Sequence, residues 1–411
     1  MTARTEDGPL GGIRILDLTS VIMGPFATHV LADLGADVIK IESPEGDSLR
    51  NHAPLRHRGM SGSFLNLHRN KRGIVLDLKR SECRYALNRL IETADVFVHS
   101  LRPKTIERLG YGYGQVRALN AQIIYCGACG FGSQGPYGDK PAYDDAIQAG
   151  SGLSALHAQL YGEPRYVPTV VCDKLSGQAV AYAILAALLQ RARGGGGQSI
   201  EVPMLETCIE FNLAEHTGGS AFVPPLGKPG YARLLSKDRK PFRTRDGYAC
   251  ILPYSDRNWQ DFYDFTGRTE FKNDPRFRRL TDRVENIAIL YDMIQAEAPK
   301  RTSAQWVEFC DRVSIPCMPV LSLDELPEDP HVKAVRLFGT ADHPSEGSYR
   351  TVRNPVSFSG AAFRIRRHAP RLGEHTAEVL AEAGLSHDEI QAVVRASALP
   401  AEGNLEQRDE P

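Results

Sequence analysis

The feature that most constrains this chain is the alternation, through its first half, of short apolar β-branched runs with helical segments. Ile13-Arg-Ile-Leu-Asp-Leu18 reads as a buried strand, and Gly24-Pro25 opens a helix, with Pro at its first position, that runs to about Leu34. Gly35 stops that helix, and Ala36-Asp-Val-Ile-Lys-Ile-Glu42 is the second strand. Gly73-Ile-Val-Leu-Asp-Leu78 follows as the third, then a helix over 82–94, the strand Asp95-Val-Phe-Val-His99, a helix around 105–109 and a strand over 122–126. Such strands, separated by helices, mean βαβ units and a parallel sheet covered on both faces, an α/β fold.

Glu42 at the end of the second strand invites a dinucleotide-binding reading, and the glycines refuse it. The first strand-to-helix turn, Thr19-Ser-Val-Ile-Met-Gly-Pro25, has one glycine where the fingerprint needs three. The run Gly194 to Gly197 follows a helix and precedes a strand over 198–202, the wrong order for a phosphate cradle; it reads as a helix stop and turn. The second half changes character. Residues 218–241 are dense in Gly and Pro, as in a linker. Asp246-Gly247 marks a hairpin turn, helices are expected over 258–266, 284–297 and 303–313, and a second Pro-rich stretch covers 315–330. This pattern divides the chain into a large domain over 1–220, linkers with a smaller α+β domain over 221–330, and a C-terminal part, 331–411, returning to the large domain with a helix near 375–383.

The formal net charge of −1 gives no electrostatic case for nucleic acid or an anionic membrane. The short basic cluster Arg69, Lys71, Arg72 reads as a local anion site or a solvated face. The longest uncharged apolar stretch, 179–189, is about half of a membrane span, and residues 1–9 carry no signal-peptide core, so a cytoplasmic location is expected. Eight scattered cysteines fit that compartment, several of them (Cys126, Cys172, Cys250, Cys310) in apolar runs that suggest small buried hydrophobes. Cys126-Gly-Ala-Cys129 ends a strand-like run and has no second pair, so neither a metal site nor a redox dithiol is expected.

Asp173 lies in Pro168-Thr-Val-Val-Cys-Asp-Lys-Leu-Ser-Gly-Gln178, between an apolar run and a helical stretch over 175–190. That places a carboxylate at a strand-to-helix junction near the first free N–H groups of the helix, where it stays ionised and points one way. Two readings follow, a helix N-cap or a nucleophile toward an electrophilic carbonyl.

The opening Gly12-Ile-Arg-Ile-Leu-Asp-Leu-Thr19, Gly24-Pro-Phe26 and Leu31-Ala-Asp-Leu-Gly-Ala-Asp-Val-Ile-Lys-Ile-Glu42 resembles the start of the family III CoA-transferases. That family takes in formyl-CoA and carnitine-type CoA transferases and α-methylacyl-CoA racemases. Further matches come in the family's order: Asn70-Lys-Arg-Gly-Ile-Val-Leu-Asp-Leu-Lys79, Arg102-Pro103 with Glu107-Arg-Leu-Gly110, Gly130-Phe-Gly-Ser-Gln-Gly-Pro-Tyr137, Pro141-Ala-Tyr-Asp144 with Gln148, the Asp173 segment, Gly197-Gln-Ser-Ile-Glu-Val202, Asn354-Pro-Val-Ser-Phe-Ser-Gly360 and Pro370-Arg-Leu-Gly-Glu-His375. The resemblance implies a Rossmann-like large domain, a small domain on long linkers and an interlocked homodimer. It makes Asp173 the nucleophile of a transfer through aspartyl anhydride and aspartyl-CoA thioester intermediates.

Its substrates would be an acyl-CoA, with succinyl-CoA a candidate donor, and a small carboxylic acid, with no tightly bound cofactor. CoA-contacting segments map onto Ile22 and Met23, Leu76, Asp77, Leu78 and Lys79, Ser100, Leu101 and Arg102, Arg108, and Lys140, Pro141, Ala142 and Tyr143. Arg102, Arg108 and Lys140 suit the nucleotide phosphates. Ser43 and Ser100 stand where relatives often carry Arg and Asn. Racemases of the family carry a His where this chain has Tyr143, which makes acyl-CoA racemisation or isomerisation the alternative activity. His216 reads as an acyl-pocket or plain linker histidine, and Arg233 and Arg243 as recognising a second carboxylate or as solvated.

Overall fold

The computed structural model describes residues 8–398 and divides into two compact units. The first takes in the chain up to Ser151, Val167–Phe211 and everything described from Arg336 on; the second holds Gly152–Tyr166 and Asn212–Val335. Against the expected boundaries near 220 and 330, the divisions fall inside the helix Met204–His216 and at Val335, and a short helical segment, Leu153–Tyr161, joins the second unit.

The first unit is built on six strands, β1 (Arg14–Leu18), β2 (Asp37–Glu42), β3 (Lys71–Val75), β4 (Val96–His99), β5 (Ile124–Cys129) and β6 (Gln198–Pro203), in the order β3-β2-β1-β4-β5-β6. Every pairing between neighbours is parallel. Side chains alternate across the sheet with a period of two. Leu16, Leu18, Ile39, Ile41, Ile74 and Phe97 enter one core, with the helix Ser81–Ile91 and the C-terminal helices Thr376–Glu382 and His387–Ala396. Ile15, Val38, Val96, Val98, Ile124 and Cys126 enter the other, with the helices Met23–Asp33 and Val171–Ala192. The strand order reverses between β1 and β4, so the carboxyl ends of these two strands open a crevice at the point where ligands bind in such sheets.

Several local expectations change. Pro25 is the third residue of its helix, Met23–Asp33, not the first. No strand leads into Asp173; Pro168 to Thr169 form a bend, Val170 is the N-cap and Val171 already begins the helix Val171–Ala192, whose start is held by a side chain from elsewhere in the chain. That helix is long and apolar enough by length and composition to cross a membrane, yet its apolar side chains Val180, Ile184 and Leu188 are buried within the first unit. Gly194, at φ +93°, ends the helix as a turn glycine. Cys250 is exposed rather than buried.

The basic cluster is neither an anion site nor a solvated face. Arg69, Lys71 and Arg72 are buried and paired internally: Arg69 with Asp33 (2.8 Å), Lys71 with Asp17 (3.2 Å), and Arg72 with Asp37, Glu378 and Glu382 (2.7, 3.0 and 2.7 Å). Glu42, the residue a dinucleotide ribose would need, is likewise taken by Arg50 through two bonds of 2.8 and 2.7 Å.

The second unit has a three-stranded antiparallel sheet, Phe242–Arg243, Tyr248–Ile251 and Cys317–Pro319, joined first by the Asp246-Gly247 hairpin. Its third strand lies inside the Pro-rich stretch that composition alone marks as linker. Three helices, Asp256–Thr266, Ile287–Glu297 and Ser303–Val313, pack on it around Trp259, Phe262, Trp306 and Phe309. Two of these start at full capping boxes, Ser255 with Asn258 and Thr302 with Gln305.

Two variants test this packing. A Cβ on Gly177 would lie 2.6 Å from the Met23 carbonyl oxygen, so Gly177→Ala is expected to cost about 1–3 kcal/mol in urea unfolding. Lys71→Met leaves Asp17 buried and unpaired and is expected to cost about 3–5 kcal/mol, and a loss under about 1 kcal/mol would mean the pair is not what holds Asp17.

Candidate active site

Asp173 is the third residue of the helix Val171–Ala192, not its N-cap; Val170 occupies that position and offers no side-chain oxygen. The cap comes from elsewhere in the chain. Asp144, at the start of the helix Asp144–Gly150, accepts the Asp173 backbone N–H at 2.9 Å, one of the donors a helix start leaves free. Gln148, one turn along the same helix, donates to Asp144 at 2.6 Å and accepts the Val167 N–H at 2.8 Å. Asp144 and Gln148 are buried, so the segment from Val167 to Asp173 is clamped by two side chains of one helix face.

Asp173 is 8 % exposed, and among the described residues no hydrogen bond reaches its carboxylate. Burial first, and then the nearby Asp144 charge, push its pKa up to about 7. This departs from the expectation of a firmly ionised group: the helix N-terminus favours charge there by about 0.3–1 kcal/mol, and desolvation outweighs it. The side chains around it follow the helix repeat. Cys172 and Ser176 face the core, where the Ser176 hydroxyl lies 4.0 Å from Cys208 Sγ, and Gly177 lets the helix close onto the Met23 backbone.

The turn after β1 is held by buried charge. Lys40 Nζ donates to the Thr19 carbonyl oxygen and, at 2.8 Å, to Asp47. The other oxygen of Asp47 accepts the Val21 N–H at 3.2 Å and the Leu49 N–H at 3.0 Å. Val21 sits at φ +68°, a left-handed conformation costly for a β-branched residue, and these bonds hold it there. Asp17 accepts the Thr19 N–H and hydroxyl (3.0 and 2.5 Å) and the Thr28 hydroxyl (2.6 Å).

A cavity of about 420 Å³ opens over this turn, at the carboxyl ends of the strands where their order reverses. Leu76, Asp77, Leu78, Lys79, Leu101 and Tyr143 line it, with Ser20, Val21 and Ser43. Tyr143 immediately precedes Asp144 and so joins this cavity to the Asp173 clamp. The remaining sequence candidates do not form its wall. Ile22 packs on a separate apolar cluster with Leu49 and Phe64, and Met23 is buried in the core. Ser100 accepts the Ser20 N–H at 3.1 Å, bracing the turn from β4. Arg102 donates to the Asp139 carbonyl oxygen at 3.2 Å, Lys140 lies 4.0 Å from the Tyr137 ring centroid, and Arg108 and Pro141 are exposed. Ala142 packs on the core, its Cβ where a Gly130 side chain would be.

The sequence matches the pattern of CoA-transferase family III over residues 10–376. The chain belongs to the family III CoA-transferases. It is 32% identical over 384 residues to a succinate–glutarate CoA-transferase of Agrobacterium fabrum, covering 91% of this chain and 95% of that one. It is 31% identical over 406 residues to a formyl-CoA:oxalate CoA-transferase of Streptomyces avermitilis, covering 93% and 97%. Among solved structures, a CAIB/BAIF family protein from Brucella suis superposes with a TM-score of 0.78 at 28% identity, covering 92% of this chain and all of that one (100%). Rv3272 from Mycobacterium tuberculosis superposes with a TM-score of 0.77 at 28% identity, covering 90% and 98%.

A family III CoA-transferase acts on CoA thioesters, and the residues that sequence reading missed here are those that hold rather than touch: Asp144, Gln148, Lys40 and Asp47. The four-residue spacing of Asp144 and Gln148 was the available signal for the first two. In the second unit His216 is a structural pin, its Nδ1 accepting the Tyr231 N–H at 3.1 Å and its carbonyl oxygen the Gly230 N–H at 2.8 Å. Arg243 is exposed on its short strand.

A raised carboxyl pKa has a stability signature. A folded-state value near 7 against about 3.9 in the unfolded chain favours the protonated form in the fold, a contribution full below about pH 4 and lost as pH rises through 7. Asp173→Asn removes that titration. Its thermal midpoint is expected to gain on the parent chain steadily between pH 4 and pH 8; a difference independent of pH would show that Asp173 is ionised throughout.

Proposed function

We propose that this chain transfers CoA from an acyl-CoA thioester to a free carboxylic acid through covalent intermediates on Asp173, with a dicarboxylic donor such as succinyl-CoA. The observation that carries this reading is a carboxylate buried, clamped at its backbone and, among the described residues, free of hydrogen bonds at its oxygens. No donor among the described residues competes for its lone pairs, and its raised basicity makes the ionised form a better nucleophile than an ordinary carboxylate.

In this mechanism the Asp173 carboxylate attacks the donor thioester carbonyl, giving a mixed anhydride and CoA thiolate. The thiolate attacks the aspartyl carbonyl, forming an aspartyl-CoA thioester and freeing the donor acid. The acceptor carboxylate then attacks that thioester, giving a second anhydride and thiolate. Attack of the thiolate on the acceptor carbonyl yields the new acyl-CoA and regenerates Asp173. Each step exchanges one acyl bond for another, so no external energy source is needed, and exclusion of water protects the anhydrides. In the same proposal the nucleotide end of CoA takes the cavity lined by Leu76 to Lys79, Leu101 and Tyr143, with Arg102, Arg108 and Lys140 near its phosphates. The succinate–glutarate relative supports a dicarboxylic donor. An interlocked homodimer is the proposed assembly; the linker's exposed Phe222, Val223 and Leu226 are apolar surface that a partner chain would cover.

The test is intact mass after brief incubation with a panel of acyl-CoAs, succinyl-CoA first, followed by peptide mapping. An acyl- or CoA-sized adduct on Asp173, lost with turnover in Asp173→Ala and formed faster as pH rises through 7, is the expected result. No adduct with any donor, together with exchange of the α-proton into deuterated water, would replace transfer by racemisation or isomerisation.

A further inference from the structure

The second unit holds a cavity of about 50 Å³ between the linker segment at Tyr231 and Arg233 and the helices that follow. Its walls are apolar and aromatic, with Tyr254, Trp259, Ile287 and Tyr291 prominent. Two arginines face it, and among the described residues no carboxylate lines it. Arg283 is 3 % exposed; it donates to the Phe277 carbonyl oxygen at 3.0 Å and to Asp256 at 2.5 Å, while its Nε has no partner. Arg233 is half-buried, with its guanidinium carbon 5.5 Å from the Tyr254 ring centroid and no ion pair or hydrogen bond among the described residues. Asp256 outside the wall answers one of these charges, and its carboxylate is largely exposed, which weakens that pairing.

A buried N–H with no acceptor costs about 1–3 kcal/mol, and cationic groups in apolar surroundings call for an anion. We infer that this cavity is a binding site for a short-chain carboxylate, held by Arg283 and Arg233 with its carbon chain against Tyr254, Trp259 and Tyr291. The planar guanidinium edge matches a carboxylate. With one water needing roughly 10–15 Å³, the volume of about 50 Å³ takes about three to five such groups, enough for a carboxylate and a very short chain and too little for a hydrated phosphate ester. The site lies wholly within the second unit and does not rest on the transferase mechanism; a chain without turnover would still bind there.

Trp259 lines the cavity and is one of only two tryptophans in the chain, so intrinsic fluorescence of the full protein reports on it. The probes are acetate and propionate, with propionamide as the uncharged control. Binding is expected as a saturable fluorescence change with the acids and not the amide, with a rise in thermal midpoint. It should weaken at least tenfold in Arg233→Gln, a half-exposed position that leaves the Arg283–Asp256 pair in place, and persist in Asp173→Ala. A response equal for acid and amide, or one unchanged in Arg233→Gln, would mean that the cavity holds only water. A response lost in Asp173→Ala but kept in Arg233→Gln would assign the acid to the nucleophile's site instead and overturn the inference.

Discussion

The edge of the sheet that carries the candidate active site depends on charges buried where none would sit unpaired. Lys40 and Asp47 hold the turn after β1 from below, and Lys71 and Asp17 tie that turn to the helix Met23–Asp33 through Thr28 and the Pro25 carbonyl oxygen. Each of the four is essentially inaccessible to solvent, and each has at least one hydrogen bond besides its charge partner, the condition under which an internal ion pair is tolerable. Their collective effect is to keep Val21 in a backbone conformation it would not choose and to leave the turn's N–H groups spoken for. The cavity above therefore has a stiff floor.

Asp173 presents the opposite arrangement. Its backbone is capped by Asp144, and among the described residues no hydrogen bond reaches its carboxylate. The same Asp144 therefore does two things: it positions the helix start, and through its charge it adds to the burial that raises the Asp173 pKa. A carboxylate tied down by hydrogen bonds would be more acidic and less nucleophilic, so a site for covalent acyl transfer gains by fixing the backbone and sparing the oxygens. Under the proposed mechanism burial serves the same end, since water would otherwise solvate the carboxylate and hydrolyse the anhydrides.

Much of the large sheet was legible because its strands are buried on both faces and therefore uniformly apolar, as Ile13 to Leu18 and Ala36 to Glu42 illustrate. Errors arose where a residue's partner is distant in the chain. Arg69, Lys71 and Arg72 look like surface charge until Asp33, Asp17 and Asp37 are brought beside them, and for Arg72 the closing partners Glu378 and Glu382 lie about three hundred residues away. The Val-Val run before Asp173 looks like a strand because local propensity cannot see a cap supplied from Asp144. The third strand of the small sheet, Cys317–Pro319, was hidden in a Pro-rich stretch, where an edge position tolerates the proline.

By itself the sequence determined the α/β class, the alternation that builds the parallel sheet, the nucleophile candidate Asp173 and, through its ordered motifs, the family. These are properties of local periodicity and of short segments, each readable without knowing its neighbours in space. Tertiary structure alone decided which charges are internal, what caps the Asp173 helix, which way burial moves that carboxylate's pKa, and where an arginine has no anion among the described residues. Those depend on desolvation and on pairs of groups brought together across long stretches of chain, and neither burial nor distance is written in composition or spacing.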